Sequence, residues 1–160
     1  MLQITIACVG KIKEKYLQEG LKEYEKRLSG YCRLNWAEVA DEKTPETASP
    51  AQETAIRDTE GERLLRKIPE NAWVIALALN GKTLDSVQLS ERMDALSVAG
   101  HSHLVFVIGG SLGLSEAVLK RADESWSFSA LTFPHQLMRL ILLEQLYRGF
   151  RISRNEPYHK

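Results

Sequence analysis

The last stretch of the chain concentrates residues able to grip anions or move protons. Arg148, Arg151 and Arg154 recur every third position, and Tyr158 and His159 follow them. Such a tail offers guanidinium groups to phosphates and an aromatic face to a base. The bland alternative is a solvated chain end, because termini fray. His135 follows Pro134 at the start of a long apolar segment. A helix beginning there would hold the imidazole for a ligand or a backbone contact. His101 and His103 offer the spacing of two metal ligands, but two polar residues at a strand entrance is the simpler reading. Cys8 and Cys32 each lie in a strand-like run without nearby histidines, so no zinc spacing is present. Both read as buried thiols; a disulfide between neighbouring strands would depend on geometry that spacing does not supply.

Two glycine motifs invite a phosphate or dinucleotide reading. Ala76 to Thr83 nearly fits G-x-x-x-x-G-K-[ST], but Ala76 replaces the first glycine and the next residues belong to an apolar strand. No loop is left to wrap a phosphate, so Asn80-Gly81 reads as a turn. Gly109-Gly110-x-x-Gly113 follows one apolar run and precedes a helical one. It is not G-x-G-x-x-G, and no acidic ribose partner follows at the expected distance. Its physical content survives: adjacent glycines let a ligand approach the backbone closely. A sharp turn without a ligand is the alternative.

The elements that must position these residues follow from periodicity. Residues 2–9 and 32–39 read as strands. Residues 14–28 carry Tyr16, Leu17, Leu21, Tyr24 and Leu28 at helical spacing. Residues 41–50, with Pro45 and Pro50, read as a mobile loop, and 51–68 as a helix that Pro69 closes. Ala72 to Leu79 and Leu104 to Ile108 are continuous apolar runs, as expected of strands buried on both faces. Asp85 caps a helix through about Ala99 and Ser115 begins one to about Ala122. Trp126 to Phe133 forms a last short strand or extended loop, and Pro134 opens a helix to about Phe150. The alternation predicts an α/β fold, one domain over 1–160, with a mainly parallel sheet flanked by helices. Ligands bind outside the carboxyl ends of such strands. Asn80-Gly81-Lys82, Gly109 to Ser115, and Ser127 to His135 all follow strand ends, so they should converge on one site.

The final helix has little polar face: only Arg139, Glu144, Gln145 and Arg148 interrupt Leu137 to Phe150. A helix apolar nearly all round must be covered nearly all round. That predicts a homodimer with this helix at the interface; the alternative is a central helix in a monomer core. The 160 residues suit one ordinary domain. Lys plus Arg and Asp plus Glu are each 21, so the formal net charge is zero. An indiscriminate nucleic-acid coat or polybasic membrane binder is thereby disfavoured. No apolar run reaches the ~18 residues of a membrane span, and the first residues read as a strand, not a leader, which suits the cytoplasm. The charges are nevertheless segregated. Residues 38–62 hold eight acids against two bases, while 11–33 hold seven Lys/Arg against four acids and 134–160 five against two.

Four motifs, in this order, resemble one family. They are Val107-Ile-Gly-Gly-Ser-Leu-Gly-Leu, Trp126-Ser-Phe-Ser-Ala-Leu-Thr-Phe-Pro-His-Gln, Leu143-Glu-Gln-Leu-Tyr-Arg and Pro157-Tyr-His-Lys. The opening Val9-Gly-Lys-Ile-Lys-Glu-Lys-Tyr fits as well. Across essentially the whole chain the pattern is similar to the small bacterial 23S rRNA pseudouridine N3-methyltransferases, minimal members of the SPOUT class. The resemblance implies a C-terminal trefoil knot, an exception to the rule that chains do not knot. It implies a homodimer, S-adenosyl-L-methionine as cofactor, no metal, and a stem-loop of large-subunit rRNA in assembled ribosomes as substrate. By the family pattern, cofactor contacts fall on Leu77, Gly109, Phe128, Ser129, Ala130, Leu131, Thr132 and Phe133. For the chemistry, a proton acceptor is needed, and His135, Tyr158 and His159 are the candidates: His135 or His159 as base or orienting group, with Tyr158 against the substrate base. Arg139, Arg148 and Arg154 would neutralise phosphates or the developing anion, with Arg148, Arg154 and Tyr158 on the RNA. Two other readings stay open here: a SPOUT enzyme for another rRNA or tRNA base, and a non-catalytic ribosome-associated module.

Overall fold

The computed structural model describes residues 1–160. In chain order the elements are β1 (Leu2–Val9), α1 (Lys15–Leu28), β2 (Cys32–Val39), α2 (Pro50–Leu65) and β3 (Trp73–Thr83). Then come α3 (Ser86–Val98), β4 (His103–Ile108), α4 (Glu116–Arg121), β5 (Glu124–Ser127) and α5 (His135–Ser153). The five strands form one sheet, ordered β2-β1-β4-β3-β5, and every pairing is parallel. Parallel neighbours need crossover connections, and the helices supply them.

Alternation along the strands builds two cores. Ile4, Ile6 and Cys8 point to one face with Leu104, Phe106 and Ile108; there α1, α3 and α5 cover them through Leu21, Leu28, Leu89, Met93, Leu142, Leu143 and Leu146. Ala7, Val9, Val74, Val105 and Val107 point to the other face, under Leu64 of α2 and Val118 of α4. Central strands buried on both sides explain why 72–79 and 104–108 read as unbroken apolar runs. On the first face α5 lies between α1 and α3. The covering that its composition demands is thus supplied largely within the chain, although Leu137 and Ile141 remain only half-buried.

Local chemistry sets most boundaries. Asp85 caps α3 with a capping box to Gln88, and the Ser115 hydroxyl accepts the Val118 N–H. The α2 start lies slightly earlier than expected: Ser49 caps it reciprocally with Gln52, and Pro50 occupies the first turn. Cys8 and Cys32 are free and buried. Cys8 pairs with Glu38 and Cys32 with Leu2, which separates the thiols by roughly 20 Å along neighbouring strands. Burial pushes the Cys8 thiol up to about 12 and Cys32 to about 11. His103 does sit at a strand entrance, bonded to Thr5 Oγ1 at 2.9 Å, and His101 stacks on Trp73.

The main departure from expectation is at Asn80-Gly81. No hairpin forms there: β3 resumes pairing after them and runs through Thr83. Asn-Gly signals a hairpin only where antiparallel strands await it, and here the neighbours are parallel. Both Leu77 and Lys82 pair with Trp126, and residues 78–81 form an excursion between them. Gly81 lies against the backbone of Ser125 and Trp126; a Cβ would stand 2.6 Å from Trp126 C and 2.7 Å from Ser125 C and Trp126 N. Only glycine permits that approach. Of the expected 126–133 segment, only its first residues join the sheet.

One polar hub pins this region. Glu124 accepts the indole N–H of Trp73 at 2.8 Å and of Trp126 at 2.9 Å, and Arg92 Nε donates at 3.0 Å. Burial raises the Glu124 carboxyl, but the bonds from Arg92, Trp126 and Trp73 outweigh it and hold the pKa low. Its stabilisation is therefore present above the ordinary carboxylate pKa and is lost as pH falls through the depressed one. Glu124→Ala is expected to cost about 3 kcal/mol at neutral pH, because two indole donors lose their acceptor. Urea unfolding measures this; a loss under about 1 kcal/mol would contradict the assigned network.

Candidate active site

A cleft of about 740 Å³ opens at the carboxyl ends of β3, β4 and β5, and more than half of its lining residues are apolar. Three segments wall it: 77–80 after the first part of β3, 108–114 after β4, and 126–135 leading into α5. Two of the strand-end loops that sequence patterning brings together, Gly109 to Ser115 and Ser127 to His135, line it except for Ser115 and Ala130; of Asn80-Gly81-Lys82 only Asn80 does. Concavity, size and sparse polar groups suit a small-molecule site.

The floor is a backbone structure. The Gly113 N–H donates to Gly110 O at 3.0 Å, and Gly113 has φ +86°. A Cβ on Gly109 would meet Gly113 C and O at 2.6 Å, so the two ends of the loop touch backbone to backbone. The opposite wall is organised by serines. Ser127 Oγ donates to Ser129 O at 3.1 Å, and Ser129 Oγ accepts the Leu131 N–H at 3.0 Å. Of the residues the family pattern assigns to a cofactor, Leu77, Gly109, Phe128, Ser129, Leu131, Thr132 and Phe133 line the cleft. Ala130 is exposed and lies outside that lining. Patterning alone did not single out Leu119 of α4 or Met138 of α5, which also close the cleft; both look like ordinary core positions in sequence.

The four candidate chemical residues separate. His135 lines the cleft and is half-buried. Burial and the nearby Arg139 charge lower its pKa, against the opposing pull of Asp41 and Glu14, which favours the neutral imidazole near pH 7. Arg139 does not reach the cleft. It is 1% exposed, pairs with Glu38 at 2.6 Å, and donates to Val9 O and Gly10 O at 2.8 Å. Its two Nη groups fasten α5 to the ends of β1 and β2 and its Nε is buried without a partner, so it positions rather than contacts. Its sequence-level role as an anion neutraliser has no accessible donor behind it.

Tyr158 and His159 sit at the other end of α5. The helix places Arg148 roughly 20 Å along the axis from His135. The tail is folded onto the helix, not frayed. The Tyr158 hydroxyl donates to Glu144 Oε2 at 2.7 Å and lies 3.3 Å from the Tyr24 hydroxyl. Arg148 pairs with Glu144 at 2.8 Å, stacks 4.7 Å above the Tyr158 ring, and lies 3.1 Å from His159 Nδ1. A guanidinium only donates, so that ring nitrogen must accept. Burial, then the bonds to Tyr24 and Glu144, raise the Tyr158 pKa, so the phenol stays protonated and is no base. Arg151 holds Glu156 at 2.9 Å and the Pro157 carbonyl at 2.8 Å, and Arg154 lies 4.5 Å over Tyr31. Glu144, the acceptor at the centre, was missed in sequence; its spacing of four from Arg148 was the available signal.

Comparison with known proteins agrees with this geometry. A family described as "Predicted SPOUT methyltransferase" matches residues 2–159. The chain is 57% identical over 159 residues to the "Ribosomal RNA large subunit methyltransferase H" of Alkaliphilus oremlandii, covering 99% of this chain and 100% of that one. To the protein of the same name from Desulfitobacterium hafniense it is 59% identical over 160 residues, covering 100% of both. A solved structure described as a probable methylase family protein from Haemophilus influenzae superposes with a TM-score of 0.55 at 14% identity. That alignment covers 98% of this chain and 70% of that one, and it supports the fold. With its strand-end cleft, glycine-closed loop and full-length family match, the chain belongs to the SPOUT methyltransferase family.

Proposed function

We propose that the protein methylates N3 of a pseudouridine in a stem-loop of 23S rRNA, on the assembled ribosome in the cytoplasm, using S-adenosyl-L-methionine. The names and near-complete coverage of the relatives support the rRNA substrate. The observation that carries the cofactor is the cleft itself. Its floor is the glycine loop, closed so tightly that a Cβ on Gly109 would strike the Gly113 backbone, and its walls are apolar with serine and threonine hydroxyls between them. That lining fits an adenosine and a bent methionine tail. When bound, the sulfonium supplies an electrophilic methyl that needs no further activation.

The chain's own work is positioning and proton handling. Gly109 and residues 128, 129 and 131–133 hold the donor and exclude water. As the N3–methyl bond forms and the carbon–sulfur bond breaks, the imide proton must leave. His135 stands in the cleft with its pKa lowered and is the residue placed to take that proton, while His159, whose accepting nitrogen is held by Arg148, is the orienting group. Tyr158 packs against the base, while Arg148 and Arg154 face phosphate and developing charge.

The molecule works as a homodimer. Cleft and tail are too far apart in one chain to meet on one base. An antiparallel pairing of two α5 helices centred near Ile141 sets the partner's Arg148 level with His135. Half-buried Leu137 and Ile141, with Leu79 and Leu131 exposed at 63% and 69% by the cleft mouth, offer the apolar surface for that contact. The excursion of residues 78–81 against β5 supports a threaded, knotted crossing beside the cofactor. Calorimetric titration with S-adenosylhomocysteine tests the cofactor reading. One site per protomer is expected; absence of binding, or preference for a nicotinamide dinucleotide, sinks it.

A further inference from the structure

Glu60, in the middle of α2, is 5% exposed. Its Oε2 accepts the Glu42 N–H at 3.0 Å. Its Oε1 is buried without a hydrogen-bond partner. That oxygen lies against the glycine loop: a Cβ on Gly110 would stand 2.9 Å from it. Gly110 lines the cleft, whereas Glu60 stands behind it. The next residue, Gly61, is pressed as closely on Ser115, the cap of α4, where a Cβ would lie 2.2 Å from the hydroxyl. Two consecutive residues of α2 therefore back both ends of the 110–115 segment.

Taking the cleft as the methyl-donor site, we propose that Glu60 is a positioning residue for the donor: its carboxyl props Gly110 from behind and ties the glycine loop to residue 42. A lone buried polar oxygen is costly, and an ionised one far more so. The surroundings agree. Burial raises the Glu60 pKa most; Asp41 and Glu42 add to this, and the Glu42 N–H and Arg63 oppose it. Arg63 is itself engaged by Glu42 and the Ala40 carbonyl. Val9 of β1 and Gly110 bring no charge to this spot. The prop stays neutral to higher pH than an ordinary carboxyl would, and it loosens as pH rises through the raised pKa.

Three variants test this: Glu60→Gln, Glu60→Ala and Gly110→Ala. S-adenosylhomocysteine affinity is measured against pH, and amide exchange is followed over residues 108–115 without ligand. Glu60→Gln should bind within about twofold of wild type at acid pH and lose less affinity on alkalinisation. Glu60→Ala should bind about tenfold more weakly, the scale of losing a group that supports a ligand site, with faster loop exchange. Gly110→Ala should harm wild type more than the Glu60→Ala background, because the oxygen it meets is gone. Wild-type affinity and exchange in Glu60→Ala would overturn the proposal, as would a Gln variant as weak as Ala. Should Glu60→Ala fail to fold, an unchanged pH profile in Glu60→Gln overturns it. Should wild type not bind the ligand, the cofactor reading fails, and loop exchange in the variants still decides the role of Glu60.

Discussion

Gly109→Ala should lower methyl transfer by about a hundredfold or more, the scale of a misplaced reacting group. The added Cβ would meet Gly113 C and O at 2.6 Å. Both atoms are backbone, so neither can swing aside as a side-chain end can. The loop must open, and it is the floor of the cleft. The strain is steric and local, so the fold should survive with a stability loss of about 1–3 kcal/mol. Titration with S-adenosylhomocysteine and thermal unfolding separate the two effects. Wild-type affinity in this variant would show that the loop does not hold the donor.

Removing residues 157–160 should lower methylation about a thousandfold, while S-adenosylhomocysteine affinity stays within about twofold. The tail supplies Tyr158 and His159, and it is bound to Glu144 and Arg148 of α5 and to Tyr24 of α1, far from the cleft. Loss of catalysis without loss of cofactor binding is the signature of a group that acts on the substrate base. Mixing this truncated chain with Gly109→Ala chains then becomes informative. In the proposed dimer half the pairs would be mixed, each with one intact cofactor cleft facing one intact tail. Recovery of about a quarter of the wild-type rate is expected from a closed two-fold dimer. No recovery would place cleft and tail of the same chain in one site.

What the sequence revealed depended on how local its causes are. Asp85 and Ser115 announced their helices because a cap bonds to a backbone group three residues on. The unbroken apolar strands announced a doubly covered sheet, and the strand-end rule then assembled the cleft from three loops distant in sequence. Asn80-Gly81 misled because its hairpin preference yields to a close crossing with Ser125 and Trp126, residues over forty positions away. Arg139 misled for the same reason. Within an apolar helix it looks like a residue kept for chemistry, yet its partners are Glu38 and the end of β1, about a hundred positions earlier. The zero net charge concealed the cationic and aromatic face that α1, α5 and the tail build together, with Arg27, Arg148 and Arg154 over tyrosine rings.

The most direct measurement uses labelled S-adenosyl-L-methionine and ribosomes that lack the modification, followed by mass spectrometry of the nucleosides. Label is expected on N3 of a pseudouridine in large-subunit rRNA. Label on uridine or on tRNA, or ribosomes left unlabelled by protein that binds the cofactor, would contradict this.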